Sequence, residues 1–114
     1  MPVVCDFTRI VGDATKDIGN AAVEMNFGTG GREAGEDALL IFSVKGLNTT
    51  VPVLVNNVNV GSLTPNPTQN HWYTQMVYLG GNQLNNGTNE LQLEAVNNDA
   101  FQIRQVSCFF HQAA

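Results

Sequence analysis

Residues 51–63 read VPVLVNNVNVGSL, and this stretch decides the fold class. Val51, Val53 and Val55 recur with period two, the repeat of a strand that buries one face. Val58 and Val60 resume the alternation after Asn56 and Asn57. Asparagine tolerates positive φ, so the pair reads as the tight turn of a β-hairpin. Pro52 has no N–H to give to a ladder, which predicts a sheet edge or the first position of a strand.

The same period spreads outward from this hairpin. Upstream, Ala38 to Val44 is almost wholly apolar, which predicts a central strand covered on both faces. Ala21, Val23, Met25 and Phe27 alternate with Ala22, Glu24 and Asn26, the pattern of a half-buried strand. Val3 to Val11 reads as a first strand with Val3, Cys5, Phe7 and Val11 on one face. Downstream, Trp72 to Leu79 forms a strand, and Leu91, Leu93 and Ala95 alternate with Gln92 and Glu94. In the last strand, Phe101 to His111, the apolar positions change parity: Phe101 and Ile103 are odd, whereas Val106, Cys108 and Phe110 are even. One inner face accepts both sets only if a residue is inserted, which predicts a β-bulge near Arg104 and Gln105. Glycine, proline and asparagine mark the connections GDATKDIGN, GTGGREAGED, TPNPTQN, GGNQLNNGTN and NNDA. The only helical candidate is a turn within residues 13–19. Eight short strands separated by turn signals define a sandwich or a barrel.

The order of an apolar strand, VPVLVNNVNVGSL, a Trp-led strand, LNNGTNELQLEAV and FQIRQVSCFF resembles galactose-binding-like jelly-roll domains, which include many carbohydrate-binding modules. The resemblance spans about residues 38–110. It includes a Leu–x–x–Gly–x–Asn–x–Leu stretch at Leu84 to Leu91, one residue longer than is usual. It implies an all-β, antiparallel two-sheet jelly-roll β-sandwich of about eight strands, and the length of the chain fits one such domain over residues 1–114. Many jelly-roll sugar binders also hold a structural Ca²⁺ near the first and last strands. By that resemblance Asp6 and Asp99 are the candidate ligands, although the first strand lacks the usual run of glutamates.

Composition narrows the function further. The 114 residues carry a net charge of −5, and only 13% are charged, about half the usual share. Neutral hydrogen-bonding residues take their place. Arg9, Lys16, Arg32, Lys45 and Arg104 are scattered along the chain and form no basic stripe, which argues against nucleic acid and against an anionic membrane surface. No apolar run reaches the roughly 18 residues that span a bilayer. The opening MPVVCDFTRI has no basic segment followed by an apolar one, so the default expectation is a cytoplasmic protein.

Trp72 is the sole tryptophan and stands where a polar, proline-bearing loop enters a strand. A ring there either stacks on the apolar face of a sugar or caps the end of the core. His71 and Tyr73 flank it. Asn97, Asn98 and Asp99 form a short loop whose oxygens suit sugar hydroxyls or Ca²⁺, and whose residue types equally suit a plain turn. Both loops precede strands that should start at the same end of the sandwich. The acidic, glycine-rich loop 28–37 lacks the Gly-Lys-Ser/Thr of a phosphate cradle. Cys5 and Cys108 both fall in apolar strand patterns, which predicts two buried thiols, a disulfide between the outer strands being the alternative.

Catalytic constellations are missing: there is no HExxH, no Gly-x-Ser-x-Gly, and Cys108 and His111 point to opposite faces of one strand. The sequence reads as a non-catalytic carbohydrate-binding or lectin-like module, with His71, Trp72, Tyr73, Asn97, Asn98 and Asp99 as candidate contacts. The alternative is a structural or assembly sandwich that packs against copies of itself or a partner chain.

Overall fold

The computed structural model describes residues 3–113, with side chains for residues 5–112. Nine strands make up the described chain: β1 (Val3–Val11), β2 (Lys16–Ile18), β3 (Val23–Gly28), β4 (Ala38–Lys45), β5 (Val51–Val55), β6 (Val58–Leu63), β7 (Tyr73–Leu79), β8 (Thr88–Leu93) and β9 (Phe101–Ala113). They form two antiparallel sheets. One has the order β1-β9-β4-β7, with β2 extending the β1 edge along β9; the other has the order β3-β8-β5-β6. The chain alternates between the sheets as a jelly roll does. The expected eight strands are thus present with one addition. Lys16–Ile18, expected as loop or helical turn, pairs with Phe101–Ile103 because Ile18 is fully buried there.

The inner faces supply a continuous core. Leu40, Phe42 and Val44 of β4 and Ile103, Val106 and Cys108 of β9 come from one sheet; Val51, Val53, Val55, Leu91 and Leu93 come from the other. At roughly 25 cal/mol per Å² of apolar surface, each such side chain contributes on the order of 2 kcal/mol. The hairpin turns at Asn56 and Asn57, with φ of 52° and 66°. Pro52 is tolerated in an interior strand because β5 pairs with β8 only at Leu54 and Val55, so at Pro52 its sole ladder partner is β6.

The bulge lies where the parity break predicts it. Ile41 pairs with Ser107 and Ser43 with Arg104, so β9 carries one more residue than β4 between them. Gln105 is the inserted residue, with φ of 52° and its N–H donated to Gly12 O at 2.8 Å. Insertion returns Val106 to the core while leaving Arg104 outside.

Two expectations about faces are overturned. On β1, Thr8 pairs with Cys108 and Asp6 with Phe110, both buried, so the even positions share the inner side. Cys5 and Phe7 therefore point outward; the side chain of Val3 lies outside the described residues. Val11 regains the inner side only through a register shift after Arg9. Cys108 is buried but Cys5 is exposed, and both are free thiols. Cys5 pairs with His111 rather than with Cys108, so the two sulfurs stand on opposite faces of the sheet. Burial pushes the Cys108 thiol up to about 12. The second correction concerns β4. It is central, but only its inner face is covered: Leu39 is 37% exposed, and Ile41 and Ser43 are half-buried.

Candidate functional site

The outer faces of the two sheets differ in chemistry. The four-stranded sheet presents Glu24, Asn26, Glu90 and Gln92 among its outward residues, as a solvated face should. The five-stranded sheet presents rings and apolar chains instead. Register places Phe7 beside Phe109, Phe109 beside Leu39, and Leu39 beside Tyr78. Phe7 and Phe109 stack with centroids 5.6 Å apart. Phe7, Met76 and Tyr78 are each more than half exposed, at 55%, 65% and 58%. At this end Cys5, Asp37, Leu39, Tyr78, Phe109 and His111 line a depression of about 290 Å³. Its rim is polar. His111 Nδ1 lies 2.8 Å from the Asp37 carbonyl, and a hydrogen bond to the Asp37 carboxylate raises the Tyr78 hydroxyl above its ordinary value.

The opposite end of the same face carries Trp72. Val44 is buried and pairs with Tyr73, so Tyr73 leans to the inner side and Trp72 to the outer. The tryptophan is half-buried, and what covers it is charge rather than core. The Arg104 guanidinium sits 4.1 Å from the ring centroid and Lys45 Nζ 5.8 Å from it. Arg104 pairs with Ser43, and Ser43 with Thr74. The guanidinium therefore crosses the width of β4 to reach the ring, over a side chain small enough to allow it.

Three loops gather at this end, because β7 and β9 both begin where β4 stops. The β4–β5 loop ties the other two together. Asn48 donates its backbone N–H and its Nδ2 to the Asp99 carboxylate at 2.8 and 2.9 Å. Partial desolvation pushes that carboxyl up, but the bonds from Asn48 and Thr49 outweigh it and hold Asp99 below the ordinary carboxylate value. On the other side, Asn66 donates its N–H to Leu47 O and its Nδ2 to Val44 O, both at 2.8 Å. Asn98 Oδ1 accepts from Asn20 Nδ2. Asn97 and Asn98 take positive φ of 53° and 62°, which they tolerate as turn residues.

Of the six residues expected to touch a ligand, His71, Trp72, Asn97, Asn98 and Asp99 share this end. Asp99 is committed to Asn48, and Tyr73 turns toward the core. The cation expectation does not fit the donor set. Asp6 pairs with Phe110, nine residues along β9 from Phe101, or roughly 30 Å at 3.3 Å per residue. Asp6 and Asp99 thus lie at opposite ends and cannot share an ion. Among the described residues no three His, Cys, Asp or Glu side chains are grouped as a metal would need. Sequence reasoning missed Arg104, Lys45 and the row Phe7–Phe109–Leu39–Tyr78. For the row, the one available hint was the nearly continuous apolar run of β4, interrupted only by Ser43; nothing in the sequence signalled Arg104 or Lys45.

No protein-family model and no curated protein sequence matches the chain. Solved structures do. BuGH86, a glycoside hydrolase crystallised in complex with neoagarooctaose, is similar over 96% of this chain, with a TM-score of 0.70 and 16% identity for a glutamate-to-glutamine variant. The wild-type complex gives a TM-score of 0.64 at the same 16% identity. This chain spans 19% of the length of each. At that identity the likeness is one of fold, and a jelly roll hosts many functions.

Proposed function

We propose that this chain is a non-catalytic carbohydrate-binding module whose ligand lies on the outer face of the five-stranded sheet at the Trp72 end. One observation carries the reading: the sole tryptophan lies outside the core, on an open sheet face, where three polar loops converge. An aromatic ring provides an apolar platform for a pyranose, and the surrounding amides and imidazole pair with its hydroxyls. Trp72 is the platform, with His71 and Asn97 as exposed hydrogen-bonding neighbours. Asn98 and Asp99 hold the loop in shape. The fold shared with part of a glycoside hydrolase, of whose length this chain spans 19%, supports a module that holds sugar rather than cleaves it. A glycan array with and without Ca²⁺, followed by Trp72→Ala, tests this. The expected result is Ca²⁺-independent binding that the variant weakens ten- to a hundredfold, about 1–3 kcal/mol. A variant that binds as the parent does, or a parent that binds no glycan, refutes it.

A second reading, an assembly module, is favoured by the apolar row at the other end of the face. Contiguous exposed apolar surface on a soluble domain marks contact with another protein. Under this reading sedimentation shows a concentration-dependent dimer that Phe7→Glu and Met76→Glu dissolve. A monomer at every concentration removes self-association.

A further inference from the structure

The cations beside Trp72 specify the ligand more closely. The chain is acidic, with a net charge of −5, and its five Lys and Arg are far apart in sequence. Pairing of β1, β9 and β4 nevertheless brings Arg9, Lys45 and Arg104 to one outer face. Arg9 is used within the protein, 3.8 Å from Asp13, the sole salt bridge among the described residues. Lys45 and Arg104 have no carboxylate partner there. The acid nearest in register, Asp17, already accepts from Gln102 Nε2 at 3.0 Å. Arg104 Nε is buried with no hydrogen-bond partner, an uncommon state for so strong a donor.

Arg104 is also held in place. The bulge at Gln105 adopts a left-handed φ of 52°, which a non-glycine residue rarely takes, and it keeps Arg104 on the outer face. Stacking on Trp72 at 4.1 Å then orients the plane of the guanidinium. A preorganised planar fork with a second cation beside it suits an oxyanion, whose two oxygens it can grip at once. From these observations we infer that the sugar bound at Trp72 carries an anionic group, a sulfate ester or a carboxylate, held by Arg104 and Lys45. This rests on the sugar-binding reading above and refines it: the ring of Trp72 positions the arginine as well as the sugar.

Two matched pairs of probes test it by titration calorimetry: agarose oligosaccharides against the same oligosaccharides chemically sulfated, and oligogalacturonate against its methyl ester. Within each pair the sugar backbone is the same and the charge differs. The charged member of at least one pair binds tenfold or more tighter at low salt, and the preference shrinks as salt rises. Which pair shows it separates sulfate from carboxylate. Lys45→Gln and Arg104→Gln each remove the preference, so that the charged and neutral members of the pair then bind alike. Lys45 is the safer variant for folding, and Arg104→Lys retains part of the preference. Equal binding of charged and neutral members overturns the anionic ligand while leaving a sugar binder. No binding to any of the four overturns both.

Discussion

Asn89 offers the sharpest test of how this sandwich is held together. It is 1% exposed, and its amide makes four hydrogen bonds. Oδ1 accepts from Asn85 N at 2.6 Å and from Asn56 Nδ2 at 3.0 Å. Nδ2 donates to Thr29 Oγ1 at 2.7 Å and to Gly87 O at 3.3 Å. One side chain thus joins the β7–β8 loop, the β5–β6 turn and the end of β3. Asn89→Ala strands these partners unequally. Asn56 Nδ2 keeps Gln83 O, Gly87 O keeps Thr29 N, and Thr29 Oγ1 still donates to Asn85 O. Only Asn85 N–H is left without an acceptor. An unsatisfied group costs about 1–3 kcal/mol and a rearranged hydrogen bond about 0.5–1.5 kcal/mol, so the variant should lose roughly 3 kcal/mol. For a domain of this size 1 kcal/mol corresponds to about 4 °C, giving a fall in Tm of about 12 °C. Thermal unfolding followed by circular dichroism measures it. Asn85→Ala is the control: it keeps the N–H that Asn89 needs and loses only the bond from its own amide to Thr88 O, so it should cost under about 1 kcal/mol. If the two variants melt within a few degrees of each other, the network does not carry the stability ascribed to it.

The remaining predictions concern titration and accessibility. Native protein should take up a thiol reagent at Cys5 alone, and unfolded, unreduced protein at both cysteines; mass spectrometry that finds native Cys108 modified contradicts its burial. Because Cys108 is held neutral to about 12 while an ordinary thiol ionises near 9.0, unfolding releases its proton above that lower value. Stability should therefore decline as pH rises from 9 toward 12, and less so in Cys108→Ala, in urea titrations at several pH values. Asp99 has the opposite sense. Its lowered folded value makes it stabilising above the unfolded carboxylate value, and that contribution is lost as pH falls through the folded one. Asp99→Asn should flatten this acid limb, and an unchanged limb denies Asp99 its role in bracing the loops.

Much of the architecture was legible in the chain. Two asparagines at 56 and 57 announced the hairpin, and a change of parity between Ile103 and Val106 located the bulge near Arg104 and Gln105, the structure settling it on Gln105. Both are local consequences of the two-residue period and of backbone sterics. The Leu84 to Leu91 stretch also has a local meaning now: Leu84 and Leu91 are buried, Gly87 takes a φ of 136°, and Asn89 ties the loop together. Other features lay beyond that reach. Period two says which residues share a face but not which face is inner. For β1 the partner strand made that choice, turning Cys5 and Phe7 outward through the register with β9. For β4, apolar on both sides, the pattern could not reveal that one side stays open. The three residues at Trp72 are the clearest case. Lys45, Trp72 and Arg104 come from three strands and say nothing of one another in sequence. The sequence by itself determined an acidic antiparallel sandwich and left its one tryptophan either stacking on a ligand or capping the core. Only the β9-β4-β7 ladder decided that two unpaired cations would meet its ring, because contacts across a sheet depend on strand order, and strand order is set by the burial of the whole core.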